Sequence, residues 1–183
     1  MSKNRGFYLL NILVGISLVL FSLTLGFVWL RNYVESQEIK RAKTEIYEVF
    51  ATYSAEAFNS KKNLNIELNY LRKDIRIYEN TMVILDKVYL PKKLNYITIY
   101  DKGPTQVFRG RITNNGNITP SFSIYIFDYS DIARYRISFY GFDIIKYMRI
   151  NIYRNRKDKS ARYDDILNYH NNWENVKSDW EVE

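Results

Sequence analysis

A long stretch without any charged side chain follows a short basic leader at the start of this sequence. Lys3 and Arg5 precede the stretch, which runs from Phe7 to Leu30. A helix rises about 1.5 Å per residue, so the stretch reaches roughly 36 Å and can cross a hydrocarbon core of about 30 Å with some tilt. We therefore predict a transmembrane segment over residues 7–30.

The flanking residues predict how this segment is oriented. Basic flanks stay cytoplasmic, which places the chain after Arg31 on the outer or periplasmic side. Trp29 and Tyr33 lie where an interfacial aromatic anchor is expected. The apolar run is too long for an ordinary secretory signal, and no small-residue cleavage site follows it. We expect a single-pass protein of the inner (cytoplasmic) membrane with a cytoplasmic N-terminus.

A helical pattern continues beyond the apolar stretch. Apolar residues recur at three- and four-residue steps, which is typical of one buried helix face: they are Ile39, Ala42, Ile46, Val49, Phe50, Tyr53 and Ala57. Charged residues fall mainly elsewhere, and Arg41 and Glu45 are spaced to pair across one turn. We predict one long helix over residues 7–59, with its first half in the membrane and its second half packed beneath a sheet.

The period changes to two after this helix, which predicts a β-rich body over residues 60–159. Aromatic residues favour strands, and the chain has 17 tyrosines and 10 phenylalanines. We expect a turn at residues 101–104 and an antiparallel sheet. The predicted strands are Leu64–Tyr70, Ile75–Tyr78, Met82–Val88, Leu94–Tyr100, Val107–Ile112, Phe122–Phe127, Arg134–Tyr140 and Ile144–Tyr153.

The last segment, residues 160–183, forms an acidic tail. Apolar residues in it step by three and four, which predicts one stripe of a short helix: Ile166, Tyr169, Trp173, Val176 and Trp180. Two exposed tryptophans on one face would form a sticky patch, so we expect the tail to dock back on the basic body. The alternative is a helix that binds a partner.

The N-terminal residues resemble a known family. Arg5-Gly6-Phe7 at the edge of the charge-free span resembles the start of type IV pilins and of the pseudopilins of type II secretion. The resemblance implies a pilin-like α+β fold, with the long N-terminal helix packed on an antiparallel sheet. It also implies that residues 1–6 are a leader, that a prepilin peptidase cuts after Gly6, and that the new amino group on Phe7 is methylated. The implied partners are other pilin or pseudopilin subunits, the inner-membrane assembly platform and membrane lipid.

Asn11 departs from the family pattern. The family usually has Glu at this position, where the carboxylate neutralises the cationic N-terminus of a neighbouring subunit, because a buried unpaired charge is costly. Asn can accept a hydrogen bond but cannot neutralise. One hypothesis is that this subunit sits at the filament tip or enters as a rare minor component. The other is that Asn11 is a neutral replacement, since single polar residues are tolerated in membrane helices.

The body has a looser resemblance of its own. Leu90-Pro91 before a strand, Val107 to Gly110, and a strand pair meeting near Gly141 are similar to the GspH/FimT class of minor pseudopilins. This class includes DNA-binding subunits of uptake pili. The resemblance therefore implies a minor subunit of a secretion, type IV pilus or competence filament, with DNA binding as an alternative.

Basic side chains alternate with aromatic side chains near the end of the body, which favours the DNA alternative. The basic side chains can contact phosphates, and the aromatic rings can stack on nucleobases. The net charge of +7 points the same way. The competing interpretation is a solvated basic face, partly neutralised by the acidic tail. The candidate DNA contacts are Arg134, Arg136, Arg154, Arg156, Lys157 and Lys159.

Catalysis finds little support in the sequence. The chain has no cysteine and one histidine, His170, which we expect to be an exposed, solvated residue of the tail. Asp128, Asp131 and Asp143 match no known calcium spacing, so we expect solvated loop carboxylates. We predict a structural, initiating subunit without a cofactor or a metal, not an enzyme. An unprocessed, signal-anchored envelope protein is the third alternative.

Overall fold

The computed structural model describes residues 4–79, 83–101, 103–141, 148–156, 161–172 and 178–183, with side chains from residue 7 onward. The chain divides into two compact units, Met1–Gln37 and Glu38–Glu183. Helix α1, Asn4–Ser60, contributes residues to both units. Met82 and Asp143 lie outside the described residues, as do Trp173 and Val176.

Two antiparallel sheets make up most of the second unit. The first sheet has the strands β1 (Leu64–Asn69), β2 (Asp74–Tyr78), β3 (Ile84–Tyr89), β6 (Val107–Ile112) and β7 (Ile118–Thr119). The second has β4 (Asn95–Tyr100), β5 (Gly103–Thr105), β8 (Phe122–Phe127), β9 (Ala133–Tyr140), β10 (Arg149–Asn155) and β11 (Trp180–Val182). Their orders are β3-β2-β1-β6-β7 and β11-β10-β9-β8-β4-β5. A 3₁₀ turn, Tyr163–Asp165, leads into a short helix α2, Ile166–Asn171.

An aromatic cluster joins α1 to both sheets. The Phe50 ring centroid lies 4.2 Å from that of Phe139 and 5.7 Å from that of Phe122. Phe108 of β6 lies 4.2 Å from Phe122. The helix face predicted from the sequence lines this core, with Tyr53 at its margin, where its hydroxyl donates to Asp86 Oδ2 at 2.9 Å. The predicted α+β class, a long N-terminal helix packed on antiparallel sheets, is confirmed.

The tail packs on the other face of the second sheet and forms a second core. Ile166, Tyr169 and Trp180 are buried there against residues of β4 and β8, including Tyr125. The prediction that the tail docks on the body is confirmed for its described residues. The prediction of one helical stripe is wrong at its end, because α2 stops at Asn171 and Trp180 pairs with Asn155 of β10. Without β11, the outer edge of β10 would have unpaired backbone groups. Residues 180–182 pair with this edge as a strand, and this pairing outweighs the helical spacing of Trp180 in the sequence.

The strand predictions are correct in position, and their errors have simple causes. Val107–Ile112 and Phe122–Phe127 match the observed strands, and most others shift by one or two residues. The turn at 101–104 is too long, because Gly103 and Pro104 already pair with β4. Asp101 has a φ of 49°, which reverses the chain within a tight hairpin. Strand β7 has two residues, too few to show an alternation.

Candidate assembly helix and basic surface

The first unit is an apolar helical segment whose serine and threonine hydroxyls between residues 7 and 30 bond to the backbone of the helix itself. Its apolar side chains are exposed, from Phe7 to Leu30. The hydroxyls of Ser17 and Ser22 donate to the carbonyls of Leu13 and Leu18 at 2.8 and 2.9 Å. Such bonds leave no hydroxyl hydrogen unpaired in an apolar medium. The helix is long and apolar enough to cross a membrane, which fits a membrane-anchored protein.

Small and polar residues share one face of this segment. Asn11, Gly15, Ser22 and Gly26 are spaced by four, seven and four residues, which places them within one narrow stripe. A Cβ added at Gly15 or at Gly26 would meet no atom within 4 Å. Small residues let two helices approach closely in a membrane. The stripe is therefore the part of the helix best suited to close contact with another helix.

The residues of the implied cleavage site lie at the start of α1. The backbone of Gly6 is helical, and Phe7 is 68% exposed. Asn11 is also exposed, one turn further along the helix. At the other end of the segment, Trp29 and Tyr33 stack with ring centroids 5.7 Å apart. This pair has the amphipathic rings that favour a membrane–water interface.

The candidate DNA contacts do not form one surface. Tyr135 and Ile137 face the core that contains α1, so Arg134 and Arg136 point to the opposite face of the sheet. Arg154 lies directly opposite Tyr135 and therefore shares the α1-facing side. Strand alternation thus separates Arg154 from the other two arginines. Lys157 and Lys159 lie outside the described residues, so their placement stays a prediction.

Three of these arginines already have partners within the body. Arg134 Nε donates to Asp128 Oδ2 at 2.6 Å. Arg136 Nε donates to Ser138 Oγ at 3.0 Å, and its guanidinium carbon lies 5.2 Å from the Tyr153 ring centroid. Arg156 Nε lies 3.8 Å from an oxygen of the Glu181 carboxylate. The buried Asp128 carboxylate offsets the charge of Arg134, whereas the Arg136 contacts are to neutral groups and the exposed Arg156–Glu181 pair is weak.

Asp128 is a structural carboxylate, not a solvated one as the sequence predicted. It is 3% exposed and accepts hydrogen bonds from the backbone N–H groups of Ser130 and Ile132, at 2.8 and 3.0 Å. A buried carboxylate needs such donors. Asp131 accepts a hydrogen bond from Asn95 Nδ2 at 2.8 Å. Within the described ranges, no group of three or more His, Asp or Glu residues is arranged to hold a metal ion.

His170 also departs from its sequence prediction. It is half-buried on α2, and its Nδ1 lies 2.7 Å from the Tyr125 hydroxyl. Burial and the nearby Arg136 guanidinium lower the pKa of His170 to about 4. The imidazole is therefore neutral at physiological pH and joins α2 to the second sheet. Its sequence context, an Asn-rich helical turn, gave no sign of this contact.

Comparison with known proteins gives a similarity to a solved structure. No protein-family model matches the sequence, and no curated protein matches it. Among solved structures, the chain is similar to the minor pseudopilin EpsH from the type 2 secretion system of Vibrio cholerae. The TM-score is 0.45 at 15% identity, over 62% of this chain and 95% of that chain.

Proposed function

We propose that this chain is a minor pilin or pseudopilin subunit, processed after Gly6 and assembled into an envelope filament through α1. The observation that supports the proposal is the difference in burial between the two halves of this helix. Its residues from Phe7 to Leu30 are apolar and exposed, whereas Ile39, Ala42, Ile46 and Phe50 lie in the core of the body. A helix built in this way can anchor a subunit in lipid and later pack against the helices of other subunits.

The filament role is structural. The subunit starts in the inner membrane with its N-terminus in the cytoplasm and its body outside, and the assembly platform then moves it into the filament. The filament serves secretion, a type IV pilus or DNA uptake. The partners are other pilin-type subunits, the prepilin peptidase and membrane lipid.

N-terminal analysis of the mature protein tests this proposal. We expect co-expression with a prepilin peptidase to give a chain that begins at Phe7 with a methylated amino group, detected by mass spectrometry. Gly6→Val should block the cut, because a branched side chain prevents close approach of the enzyme to this backbone. Gly26→Val is the matched control and should leave the cut intact. A chain that keeps Met1 or Ser2 in cells with an active peptidase would instead support the unprocessed, signal-anchored alternative.

Asn11 sets the expected position in the filament. An amide here cannot neutralise the N-terminus of a subunit above it, so we propose a tip position, where no subunit lies above, or a rare minor position. Asn11→Glu restores a carboxylate and should increase incorporation along the shaft, measured by immunogold labelling of isolated filaments. Asn11→Gln keeps the amide and should leave labelling unchanged. Equal amount and position in all three forms would exclude the tip hypothesis.

DNA binding through the arginines of β9 and β10 is the weaker candidate function. Arg134 and Arg136 lie on one face of the sheet and Arg154 on the other. Asp128 pairs with Arg134, and Glu181 lies near Arg156. A polymer that follows one groove contacts cations on one surface. An electrophoretic shift assay at low salt, comparing the wild type with Arg154→Gln, tests this candidate directly.

A further inference from the structure

The outer face of the first sheet carries a group of cations that sequence patterns did not single out. Ile75 and Ile77 of β2 lie in the core, so strand alternation turns Asp74, Arg76 and Tyr78 to the opposite face. The same alternation operates on β1, β3 and β6. The group, named here the sheet cations, consists of Arg72, Arg76, Lys87, Arg109 and Arg111.

Strand register places several sheet cations in one row across the sheet. Lys87 lies directly opposite Arg76, Arg76 opposite Glu67, and Glu67 opposite Arg109. The row therefore crosses β3, β2, β1 and β6 in turn, at the spacing of neighbouring strands of about 4.8 Å. Arg111 lies two residues along β6 from Arg109, on the same face.

Two like charges directly opposite each other normally destabilise a sheet, and Lys87 opposite Arg76 is such a pair. Asp74 offsets this repulsion. It is 1% exposed, it accepts a hydrogen bond from Arg76 Nη2 at 3.0 Å, and Lys87 Nζ lies 3.5 Å from the same oxygen. Arg72 Nε approaches its other oxygen at 3.3 Å. One buried carboxylate thus holds three cations at fixed positions.

Glu67 plays the same part for the rest of the row. Arg109 Nε donates to it at 2.8 Å, and Arg72 also binds it. Burial opposes the ionisation of Glu67, but the hydrogen bonds from Arg72 and Arg109 outweigh burial and lower its pKa. Two carboxylates therefore hold four cations, and Arg111 is a fifth, exposed cation on the same face. The five sheet cations exceed the two carboxylates by three positive charges, which are available to a ligand. The side chain of Arg109 is 79% exposed, so this charge faces solvent.

Tyrosines flank the row on the same face. Tyr89 lies opposite Asp74, is 58% exposed, and has Lys87 Nζ 4.4 Å from its ring centroid. Tyr78 lies opposite Asn65 and is half-buried. Each tyrosine is two residues along its strand from a cation of the row, a backbone spacing of about 7 Å. Cations beside aromatic faces on a flat sheet are the arrangement that binds unpaired nucleotides.

We propose that this outer face of the first sheet binds single-stranded nucleic acid. The sheet cations contact backbone phosphates, and Tyr78 and Tyr89 provide stacking surfaces for bases. Asp74 and Glu67 fix the positions of the cations, and the positive charge in excess of these two carboxylates provides the affinity for phosphates. The site uses none of the arginines of β9 and β10. It is also independent of cleavage at Gly6, so either proposal can fail without the other.

Fluorescence anisotropy with a labelled 20-nucleotide single strand tests the site on the full chain in a non-ionic detergent. The test variant combines Lys87→Gln, Arg109→Gln and Arg111→Gln and leaves Asp74 with two cations. We expect it to bind at least about tenfold more weakly. The slope of log affinity against log salt should fall by about 2, because each lost phosphate contact contributes about 0.7.

The matched control removes the same charge from the other sheet. It combines Gln replacements at three exposed arginines, which are Arg149 and Arg154 of β10 and Arg156, the residue that follows this strand. We expect its affinity to stay within about twofold of the wild type. Tyr89→Ala should weaken binding by about fivefold or more without changing the salt slope, since stacking is not ionic.

Several outcomes would overturn the proposal. These are no binding at low salt, equal losses in both triple variants, a loss confined to the β10 variant, or tighter binding of a duplex of the same length. Inorganic polyphosphate that competes as well as the single strand would show that bases contribute nothing, and would also overturn it. If the triple variant does not fold by protease resistance, Arg111→Glu replaces it. This reversal should weaken binding by at least threefold, and unchanged affinity would reject the site.

Discussion

Phe50 is the side chain through which α1 holds the two sheets, and Phe50→Ala should show how much of the body depends on it. Phe50 is fully buried, and its ring centroid lies 4.2 Å from that of Phe139 with the ring planes tilted by 43°. The truncation removes about 150 Å² of buried apolar surface, worth about 4 kcal/mol at 25 cal/mol per Å². Lost ring contacts with Phe122 and Phe139 add about 1 kcal/mol. We expect a loss of about 4–5 kcal/mol in the free energy of unfolding, within the range for buried Phe to Ala changes.

Pulse proteolysis in urea, on the full chain in detergent, measures this loss. With a slope of about 2 kcal/mol per molar urea, the midpoint should fall by about 2 M. Tyr47→Ala is the matched control, because Tyr47 lies on the same helix and is 43% exposed. Its effect should stay within about 0.5 kcal/mol. Equal shifts for the two variants, or a shift below about 0.5 M for Phe50→Ala, would refute the conclusion that α1 is packed into the core through this face.

The same assay checks three further predictions. Gly116 has a φ of 73°, and a Cβ there would lie 2.8 Å from the Ser54 carbonyl oxygen, so Gly116→Ala should lower the free energy of unfolding by about 2 kcal/mol or more. Gly103→Ala is the control, because its Cβ would meet only an oxygen 3.9 Å away, and it should change stability little. Asp128→Asn weakens a buried acceptor of three hydrogen bonds and should cost about 1–3 kcal/mol, with an unchanged midpoint as the contrary result. His170 has its pKa lowered from 6.5 to about 4, so the unfolded chain binds its proton first and stability falls as the pH drops from 6.5 towards 4. After allowance for solvent screening, the wild type should lose about 1–2 kcal/mol of unfolding free energy over this range, and His170→Gln should not. Equal losses in the two proteins would contradict the prediction.

The sequence contained enough information for the long helix and most of the strands. Periodicity identified the buried face of α1, because residues three and four apart meet the same surface. It also placed Val107–Ile112 correctly, since a strand buried on one face alternates along its length. Phe122–Phe127 is buried on both faces, and its aromatic and β-branched residues favour a strand. These features depend on local pattern alone, and that is why they could be predicted.

Features that depend on distant partners could not be predicted in the same way. Trp180 continues a helical period in the sequence, but the free edge of β10 takes it into a strand. The sequence predicted that His170 and Asp128 are solvated, but in the folded chain His170 contacts Tyr125 and Asp128 contacts Arg134. The row of Lys87, Arg76 and Arg109 exists only through the register of four strands. The contacts of Trp180 and His170 join chain segments far apart in sequence, whereas Asp128 meets Arg134 six residues away through the turn between β8 and β9.

The contacts of Glu183 set an order on the biogenesis of this protein. Glu183 binds Lys43 of α1, 140 residues earlier, and its backbone N–H donates to the Ile152 carbonyl oxygen at 3.0 Å. Synthesis delivers residues from the N-terminus at about 5–20 per second, so Lys43 emerges from the ribosome several seconds before Glu183 does. β10 itself ends at Asn155, so its outer edge stays unpaired only for the last few seconds, until β11 follows. The second sheet is therefore complete only when β11 has paired with β10.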